Sequence, residues 1–440
     1  MTDPDAAPDD PLTVRAERLV AGGDALGRLA DGRVAFVTGA LPGEEVEATV
    51  REDRGDFVRA DLAEVLEPSD DRVVPTCAFR RAGCGGCDWM HLEPGAQLGA
   101  KVEIVAESLR RIGRFEPDEV ERLVVEGGAV EPYGYRTTVR LVGMDGGRVG
   151  FREERSRRVV PIDRCQIADE GLAEAIAEVE VAPGVELSLR SSVATGAVTA
   201  RWTRPEDRRR RGERRRRPAP EGGWVRGLPE GTHIGDRAFL VERIAGADLR
   251  FSAPSFAQSG PEGAALLVEA VERAAPELAT AGHAVDLYGG VGLFAATAMT
   301  WARHVTVVES ARSACLDAAE NLRGRRPVDG DGGAGGGGVG GERTRRIVRG
   351  DVAAWQPDPA DGPIDVVVAD PGRPGLAKPG TAAVERAGAP VVVLVSCDPV
   401  SMARDARLLV ESGHEIESVE VLDLFPQTSH VECVTRLRRR

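Results

Sequence analysis

The sequence predicts an α/β protein with a small β-barrel at its N-terminus and a parallel-sheet domain at its C-terminus. Residues 12–68 contain short apolar stretches between glycine turns, a pattern typical of a barrel. From about residue 262 to residue 440, apolar strands alternate with helical stretches, as in sheets with crossover helices. We therefore divide the chain into a barrel at 11–69, a small α+β central domain at 70–260 and an α/β domain at 261–440.

Local periodicity places the elements within these regions. The central domain has a helix over Gln97–Ile112, a strand pair turned at Asp145–Gly147 and a strand around Leu187. Four barrel strands are expected, at Leu12–Leu19, Gly32–Val37, Glu45–Arg51 and Phe57–Leu66. The apolar runs expected to form the C-terminal parallel sheet are Ala284–Leu287, Val305–Val308, Ile364–Ala369, Val391–Val395 and Ser418–Leu424.

Composition narrows the class of protein. The net charge of −14 argues against nucleic-acid binding by the whole surface, so a nucleic-acid partner would need local basic patches. No run of about 18 uncharged apolar residues occurs, and the acidic N-terminus lacks the features of a signal peptide, so we expect a cytoplasmic protein without a membrane partner. Lysine is nearly absent, which we attribute to composition bias.

Two segments interrupt the domains. Residues 203–222 include eight arginines between Arg208 and Arg217 and form either a solvated insert or an arm that contacts phosphates. Residues 324–346 are rich in glycine and are expected to form a flexible surface loop.

The first strand of the C-terminal domain predicts a nucleotide-type site. It runs into the turn Tyr288-Gly289-Gly290-Val291-Gly292, where glycine allows the backbone to approach a ligand closely. About 20 residues later the next strand ends at Glu309, where a carboxylate can bind two ribose hydroxyls. The turn lacks the G-x-G-x-x-G pyrophosphate motif, which favours a ligand without phosphates. Asp351 is either a further polar contact near an adenine or an ordinary helix cap.

Two later strands deliver polar residues to the same edge of the sheet. One ends at Asp370-Pro371-Gly372-Arg373 and the other at Ser396-Cys397-Asp398-Pro399. The carboxyl ends of strands in an open α/β sheet form the ligand crevice. A thiol at that position, before a turn stiffened by proline, is placed either as a nucleophile or as a buried structural cysteine.

These segments resemble motifs of the RNA 5-methyluridine methyltransferases, which act on uracil C5 in tRNA and 23S rRNA. Residues 286–294 resemble that family's cofactor loop, residues 370–375 its DPPRxG motif and residues 396–399 its SCNP motif. Residues 423–432 match its D-x-FP-x-T-x-H-x-E motif almost fully, and residues 256–258 resemble its F-x-Q segment. Residues 12–68 are similar to its TRAM domain, an OB-like RNA-binding barrel.

The resemblance implies a Rossmann-like class I methyltransferase domain, S-adenosylmethionine as cofactor and RNA as partner. It assigns Cys397 as the nucleophile that adds to uracil C6, Glu432 as the base that removes the C5 proton, and Asp370 as a hydrogen-bonding group in the shared pocket. The chemistry requires these residue types, because C5 becomes nucleophilic enough for methyl transfer after a thiolate has added to C6. The cofactor contacts are expected to be Gln258, Tyr288, Gly289, Glu309, Asp351 and Asp370.

The sequence departs from the family motifs at two positions. Gly372 replaces the second proline of DPPR, which loosens the turn that should hold Asp370. Asp398 replaces the asparagine of SCNP, and its charge is expected to raise the pKa of Cys397 unless a cation such as Arg373 or Arg404 compensates.

Four cysteines offer a second site. The spacing of Cys77, Cys84 and Cys87 and the distant Cys165 fits either a [4Fe–4S] cluster or zinc, with free thiols as the third interpretation. Three near ligands and one remote ligand favour the cluster, and so does the family resemblance. Cys315 and Cys433 are expected to be structural.

Two other functions remain open on the sequence alone. One is a methyltransferase acting on another substrate, and the other is a non-catalytic RNA-binding iron–sulfur protein. The motifs do not separate rRNA from tRNA as the substrate, although the barrel and the cysteines favour rRNA. A monomer is the default expectation.

Overall fold

The computed structural model describes residues 11–204, 223–323 and 343–440. The arginine run and most of the Gly-rich insert lie outside these ranges, so the predictions made for them are not addressed. Among the described residues, no helix is both long enough and apolar enough to cross a membrane.

The first five strands form the small barrel that the sequence predicts. The strands are β1 Leu12–Leu19, β2 Ala25–Arg28, β3 Val34–Thr38, β4 Glu45–Asp53 and β5 Phe57–Glu67. They close in the order β1-β2-β3-β5-β4. Strand β2 was not expected from the sequence, because it is short and contains Gly27. A Cβ at Gly27 would lie 2.4 Å from the carbonyl oxygen of Arg15, so the close packing of β1 and β2 requires glycine there.

The central region combines helices with a second sheet. Its helix α2 begins at Pro94, a favoured first helical residue, and buries Val105 and Leu109. The elements are α1 Ala78–Arg81, α2 Pro94–Arg111, α3 Pro117–Leu123, β6 Val124–Ala129, β7 Thr138–Gly143, β8 Val149–Arg152, β9 Val159–Pro161, α4 Glu170–Glu178, β10 Glu180–Val181, β11 Glu186–Ser191, β12 Val198–Thr203, β13 Val225–Arg226, β14 His233–Ile234, β15 Phe239–Ile244 and β16 Ala247–Ser252. Within the described residues, the main sheet here has the order β14-β12-β11-β7-β8-β9.

The C-terminal region is a three-layer α/β/α unit. Its elements are α5 Pro261–Ala274, β17 His283–Leu287, α6 Leu293–Ala296, β18 His304–Glu309, α7 Arg312–Leu322, β19 Thr344–Arg349, β20 Val366–Ala369, α8 Ala377–Ala387, β21 Val391–Ser396, α9 Pro399–Glu411, β22 His414–Asp423 and β23 Glu432–Arg439. The sheet order is β19-β18-β17-β20-β21-β23-β22-β6. Helices α5, α6 and α7 pack against one face of this sheet and form the first hydrophobic core. Helices α2, α8 and α9 pack against the other face and form the second.

The expectation of a parallel sheet is wrong for its last strand. Strand β23 runs antiparallel to both β21 and β22, with Ser396 opposite Cys433. The connection from β22 to β23 spans residues 424–431, which is too short for the crossover that a parallel pair needs. As a result, the start of β23 lies beside the carboxyl ends of the parallel strands.

Strand β6 joins this sheet at its edge, although it precedes the predicted boundary at residue 261. It pairs with β22 in parallel, with Val124 opposite Val419. Its sequence, VVEGGA, shows no strict alternation, which explains why it was not expected. The division into three domains stays a prediction.

Candidate active site

The glycine turn after β17 has the geometry of a ligand-binding turn. Tyr288 has a φ of +60° and Gly290 a φ of +55°, so a non-glycine residue is held in the left-handed region. A Cβ at Gly289 would lie 2.7 Å from Cγ1 of Val307, which leaves no room for a side chain. The backbone N–H of Gly290 donates to Oε2 of Glu309 at 3.1 Å, so the turn and the acid at the end of β18 are joined as expected.

The Glu309 carboxylate is oriented by backbone donors. Besides the bond from Gly290, Oε1 accepts from the N–H of Ala311 at 2.6 Å. Oε1 also accepts from the hydroxyl of Ser310 at 3.3 Å, so Oε2, with one lone pair left, is the oxygen that can accept a ribose hydroxyl. The predicted role as a ribose contact therefore fits this geometry.

Asp286, for which the sequence suggested no role, is the most perturbed acid beside this turn. It is fully buried, and burial followed by the nearby Asp370 carboxylate raises its pKa to about 8. Its Oδ2 accepts a bond of 3.3 Å from the N–H of Ala295, while Oδ1 is buried without a partner among the described residues. A buried carboxyl oxygen without a donor favours the protonated form of Asp286, in agreement with its raised pKa. Its place within the motif VDLYGG was the available signal.

The other predicted cofactor residues have mixed placements. Tyr288 is half-buried against the core. Its hydroxyl lies so close to Gly380 that a Cβ added there would be only 2.8 Å away. Oδ1 of Asp351 accepts from the N–H of Ala353 at 2.9 Å, so Asp351 caps a short 3₁₀ turn, the more ordinary of its two expected roles. Gln258 lies between β16 and α5, where it lines a small pocket with Arg190. Their contacts with a cofactor stay predictions.

The three predicted catalytic residues meet at the carboxyl ends of the parallel strands. Asp370 follows β20, Cys397 follows β21 and Glu432 begins β23, and these three strands are neighbours. The N–H of Asp370 donates to the carbonyl of Leu287 at 3.2 Å, which ties these strand ends to the glycine turn. Glu432 reaches them because β23 is antiparallel and therefore starts where β20 and β21 end.

Cys397, Asp370 and Glu432 lie so close together that a negative charge on one disfavours ionisation of the others. Burial, followed by the carboxylates of Glu432 and Asp370, raises the pKa of Cys397 to about 11. Burial and the Asp370 carboxylate raise the pKa of Glu432 well above its usual range, and burial also raises that of Asp370. Like charges this close cannot all ionise together. The site therefore holds protons that can move between a thiol and two carboxyl groups.

Arg373 is the cation that opposes this effect. Its charge lowers the pKa of Cys397, and its Nη2 donates to Nε2 of His430 at 3.2 Å. Arg404, the other expected compensating residue, instead pairs with Asp405 at 2.8 Å and donates to the carbonyl of Pro374 at 2.6 Å. Arg373 thus lowers the pKa of Cys397 without cancelling its rise, whereas Arg404 binds the neighbouring turn.

The two departures from the family motifs have structural explanations. Asp398 is the N-cap of α9, where Oδ1 accepts from the N–H of Ser401 at 2.7 Å, so its charge is used at a helix start. The charges that raise the pKa of Cys397 most are those of Glu432 and Asp370.

The turn that contains Gly372 is fixed by a buried acid that the sequence did not reveal. Asp405 of α9 accepts from the N–H of Leu376 at 2.6 Å and from that of Ala377 at 3.0 Å. Gly375, with a φ of +73°, could not carry a side chain, because its Cβ would lie 2.1 Å from Oδ2 of Asp405. The turn after Asp370 therefore does not depend on a proline at position 372.

The four clustered cysteines line one cavity of about 320 Å³ in the central region. Every cysteine of the chain lies in the described residues and is a free thiol. No group of three or more His, Cys, Asp or Glu side chains in the described ranges is arranged to hold a metal ion. Burial and neighbouring thiols raise the pKa of Cys87, while Arg136, which also lines the cavity, lowers it.

Zinc and a four-iron cluster place different demands on their sulfur ligands. A single zinc ion needs its sulfur ligands within about 2.3 Å of one point. In a four-iron cluster each thiolate binds a different iron, so the sulfurs lie further apart. Here the four thiols share a cavity with several arginines, and no three of the described side chains converge on a metal position. The iron–sulfur prediction itself is not tested by this arrangement.

Comparisons with known proteins agree with the architecture. Residues 12–63 match the TRAM domain family. The chain is 34% identical over 94% of its length to an uncharacterized RNA methyltransferase of Streptomyces coelicolor, of which it covers 90%. It is 31% identical over 92% of its length to the 23S rRNA (uracil(1939)-C(5))-methyltransferase RlmD of Pseudomonas entomophila, of which it covers 88%.

A solved structure of similar fold comes from Pyrococcus abyssi. It is the tRNA (uracil-54, C5)-methyltransferase in complex with S-adenosyl-L-homocysteine, with a TM-score of 0.64 and 23% identity over 96% of this chain and 100% of that chain. This likeness confirms the predicted fold class, in which an OB-like barrel and a small central region accompany a Rossmann-like C-terminal sheet.

Proposed function

Because the chain belongs to the RNA 5-methyluridine methyltransferase family, we propose that it transfers a methyl group from S-adenosylmethionine to C5 of a uridine in RNA. The observation that carries the proposal is the meeting of Cys397, Asp370 and Glu432 on adjacent strands, beside the turn that holds Glu309. A thiol and two carboxyl groups next to a nucleoside-type site are the groups that this reaction requires.

Cys397 performs the first step. Its thiolate adds to C6 of the uracil ring, which forms the S–C6 bond and moves an electron pair to C5 and O4. The thiol must first lose its proton, and the raised pKa means that it does so with the help of a neighbouring base. Arg373 assists because its charge lowers that pKa. S-adenosylmethionine supplies an electrophilic methyl group, which C5 then accepts.

Glu432 completes the reaction. Its carboxylate removes the proton from the methylated C5, and the electron pair of that bond reforms the C5–C6 double bond as the thiolate of Cys397 leaves. A carboxylate with a raised pKa accepts a proton more readily than an exposed one, so burial of Glu432 suits this role. The target base must leave its stack to reach the crevice, as for other base-modifying enzymes.

The residues around the glycine turn fit S-adenosylmethionine. The carboxylate of Glu309 is held at the turn by the N–H groups of Gly290 and Ala311, where Oε2 can accept from a ribose hydroxyl. Tyr288 and Gly289 shape the turn between them. Asp370 lies between this turn and Cys397, where it can contact both halves of the site.

We propose 23S rRNA as the RNA to be tested first. Relatives at 31% and 30% identity are named as 23S rRNA enzymes, whereas the structure named as a tRNA enzyme is 23% identical. The N-terminal barrel, which matches the TRAM domain, is the surface expected to bind the RNA backbone.

A trapping experiment tests the proposal. The protein is incubated with methyl-labelled S-adenosylmethionine and 5-fluorouridine-substituted 23S rRNA or tRNA transcripts. Fluorine cannot leave C5 as a proton would, so a labelled covalent complex should accumulate with the wild type. Cys397→Ala should form no complex, whereas the control Cys433→Ala, which changes a fully buried thiol, should form it. A complex with neither RNA would favour another substrate or a non-catalytic RNA-binding role.

We further propose that Cys77, Cys84, Cys87 and Cys165 hold a [4Fe–4S] cluster. The support is a shared cavity, four thiols and the arginines that line it. A structural or RNA-positioning role suits a cluster there. Protein purified without oxygen should contain about four irons and four sulfides per chain with broad visible absorbance. Cys84→Ser should lose them and Cys315→Ser should keep them. Zinc, or no metal, in the wild type would contradict the proposal.

A further inference from the structure

Lys101 is an unusual residue in this chain. It is one of two lysines among 57 basic residues, and it is fully buried in the middle of α2. Its Nζ lies 2.6 Å from Oδ1 of Asp423, whose side chain is 2% exposed. Burial lowers the pKa of Lys101, because the charged form is desolvated. Since a buried ion pair is seldom more stable than an apolar pair of similar size, stability alone does not explain its presence.

The pair fixes the start of the segment that leads to Glu432. Asp423 is the last residue of β22, and residues 424–431, the catalytic loop, connect it to β23. Nζ of Lys101 also donates to the carbonyl of Phe425 at 3.2 Å, and Oδ1 of Asp423 accepts from the N–H of Phe425 at 3.1 Å. One ammonium and one carboxylate therefore hold both polar groups of the Phe425 backbone.

The same part of the chain holds the rest of the catalytic loop. Oε1 of Gln97, one turn before Lys101, accepts from the N–H of Gln427 at 2.6 Å. The N–H of Trp89 donates to the carbonyl of Gln427 at 3.0 Å, and Asp88 accepts from the N–H of Ser429 at 3.1 Å. The catalytic loop is thus supported by residues 88–101 of the central region as well as by its own strands.

The catalytic loop connects Lys101 with the nucleophile. The Phe425 ring packs edge-on against His430, with ring centres 5.9 Å apart. His430 accepts a hydrogen bond from Arg373, and the charge of Arg373 lowers the pKa of Cys397. A shift of Phe425 would therefore move His430 and release Arg373 from its place beside the thiol.

We propose that Lys101 is a positioning residue for uridine methylation. Its pair with Asp423 holds the catalytic loop so that Glu432 and the His430–Arg373 pair face Cys397. An arginine could not replace it, because the site is closed on all sides and its head group is larger. The expected effect of Lys101 on kcat rests on the proposed function. Its expected effect on the reactivity of the Cys397 thiol can be measured without RNA.

The main test removes both charges together. The double variant Lys101→Met/Asp423→Leu leaves no unpaired buried charge, so it should fold and unfold thermally close to the wild type. We expect kcat to fall at least tenfold while KM for the RNA stays within twofold. In the free protein, alkylation of Cys397 by iodoacetamide should shift to higher pH. The control Arg436→Met/Glu277→Gln, which removes an ion pair of 2.8 Å near the far end of β23, should leave kcat, KM and the alkylation profile unchanged.

A second variant keeps the test decisive if the first does not fold. Phe425→Leu leaves the ion pair intact and removes the ring contact with His430, and its half-buried position allows folding. It should shift Cys397 alkylation in the same direction. Wild-type kcat and an unchanged alkylation profile in either folded variant would overturn the proposal. If the wild type methylates no uridine, the proposed function fails, and the alkylation profiles still decide the positioning role.

Discussion

The cavity thiols Cys84 and Cys87 and the crevice thiol Cys397 are all held in their protonated form, but their neighbours differ. In the cavity, burial is followed by repulsion from other thiols, and Arg80 and Arg136 act against it. In the crevice, burial is followed by two carboxylates, and Arg373 acts against them. Thiols grouped with one another become favourable ligands once a cationic centre binds. A thiol grouped with carboxylates is suited to exchanging a proton.

Among variants that test this difference between the two groups of thiols, Cys397→Ala should have the largest effect, which is on the rate of methyl transfer. Loss of the nucleophile should reduce methyl transfer at least about a thousandfold, as for other enzymes that lose a covalent catalyst. Thermal stability should change little, because the residue is half-buried at the end of β21. Single-turnover transfer of labelled methyl to the RNA measures the loss. Activity near that of the wild type would show that Cys397 is not the nucleophile.

Glu432→Gln should lower kcat but raise the alkylation rate of Cys397. Removing a general base should lower kcat by about a hundredfold. It also removes a carboxylate that raises the pKa of Cys397, so alkylation of the thiol at pH 8 should become faster. A matched control is Glu417→Gln on β22, which lies in an exposed ion-pair network. Slower alkylation in Glu432→Gln would contradict the electrostatic account of the site.

Arg373→Met should have the opposite effect on the thiol. In the wild type the thiolate fraction, and hence the alkylation rate, should rise about tenfold for each pH unit below the pKa of about 11. Removing the guanidinium raises that pKa further, so alkylation at pH 9 should slow by roughly tenfold for each unit of increase. The rate is measured by mass spectrometry of the Cys397 peptide. Arg404→Met, which alters the neighbouring turn, is the comparison.

The smallest effect is expected from Cys77→Ser. This residue lies at the start of α1 beside the cavity, in another part of the fold from Cys397. The alkylation profile of Cys397 should therefore match that of the wild type, even if the variant loses iron. A shift in the profile would mean that the two thiol groups are coupled.

The sequence predicted most strands because apolar runs and alternation are local signals. It missed β2 and β6, which are short or rich in glycine, and it also gave no strand at β12, β15 or β16. It also missed the reversal of β23, because strand direction is set by the length of a connection rather than by composition.

The candidate site divides in the same way. Motifs identified Cys397, Asp370, Glu432 and Glu309 directly. The roles of Asp286, Asp405 and Lys101 depend on side chains brought together by folding, so no spacing in the sequence reveals them. The cap role of Asp398 was missed for a related reason, since adjacency along the chain did not show that its carboxylate accepts from the N–H of Ser401 at the start of α9.

The position of β6 at the edge of the C-terminal sheet has a consequence for biosynthesis. The ribosome makes β6 long before its partner β22, which follows every other described strand of that sheet except β23. Until β22 and the catalytic loop are made, β6 has no strand to pair with and Lys101 of α2 lacks Asp423. Such distant pairings form slowly and leave strand edges open in the meantime. A product truncated before residue 414 would therefore lack both the strand that pairs with β6 and the part of the catalytic crevice that holds Glu432.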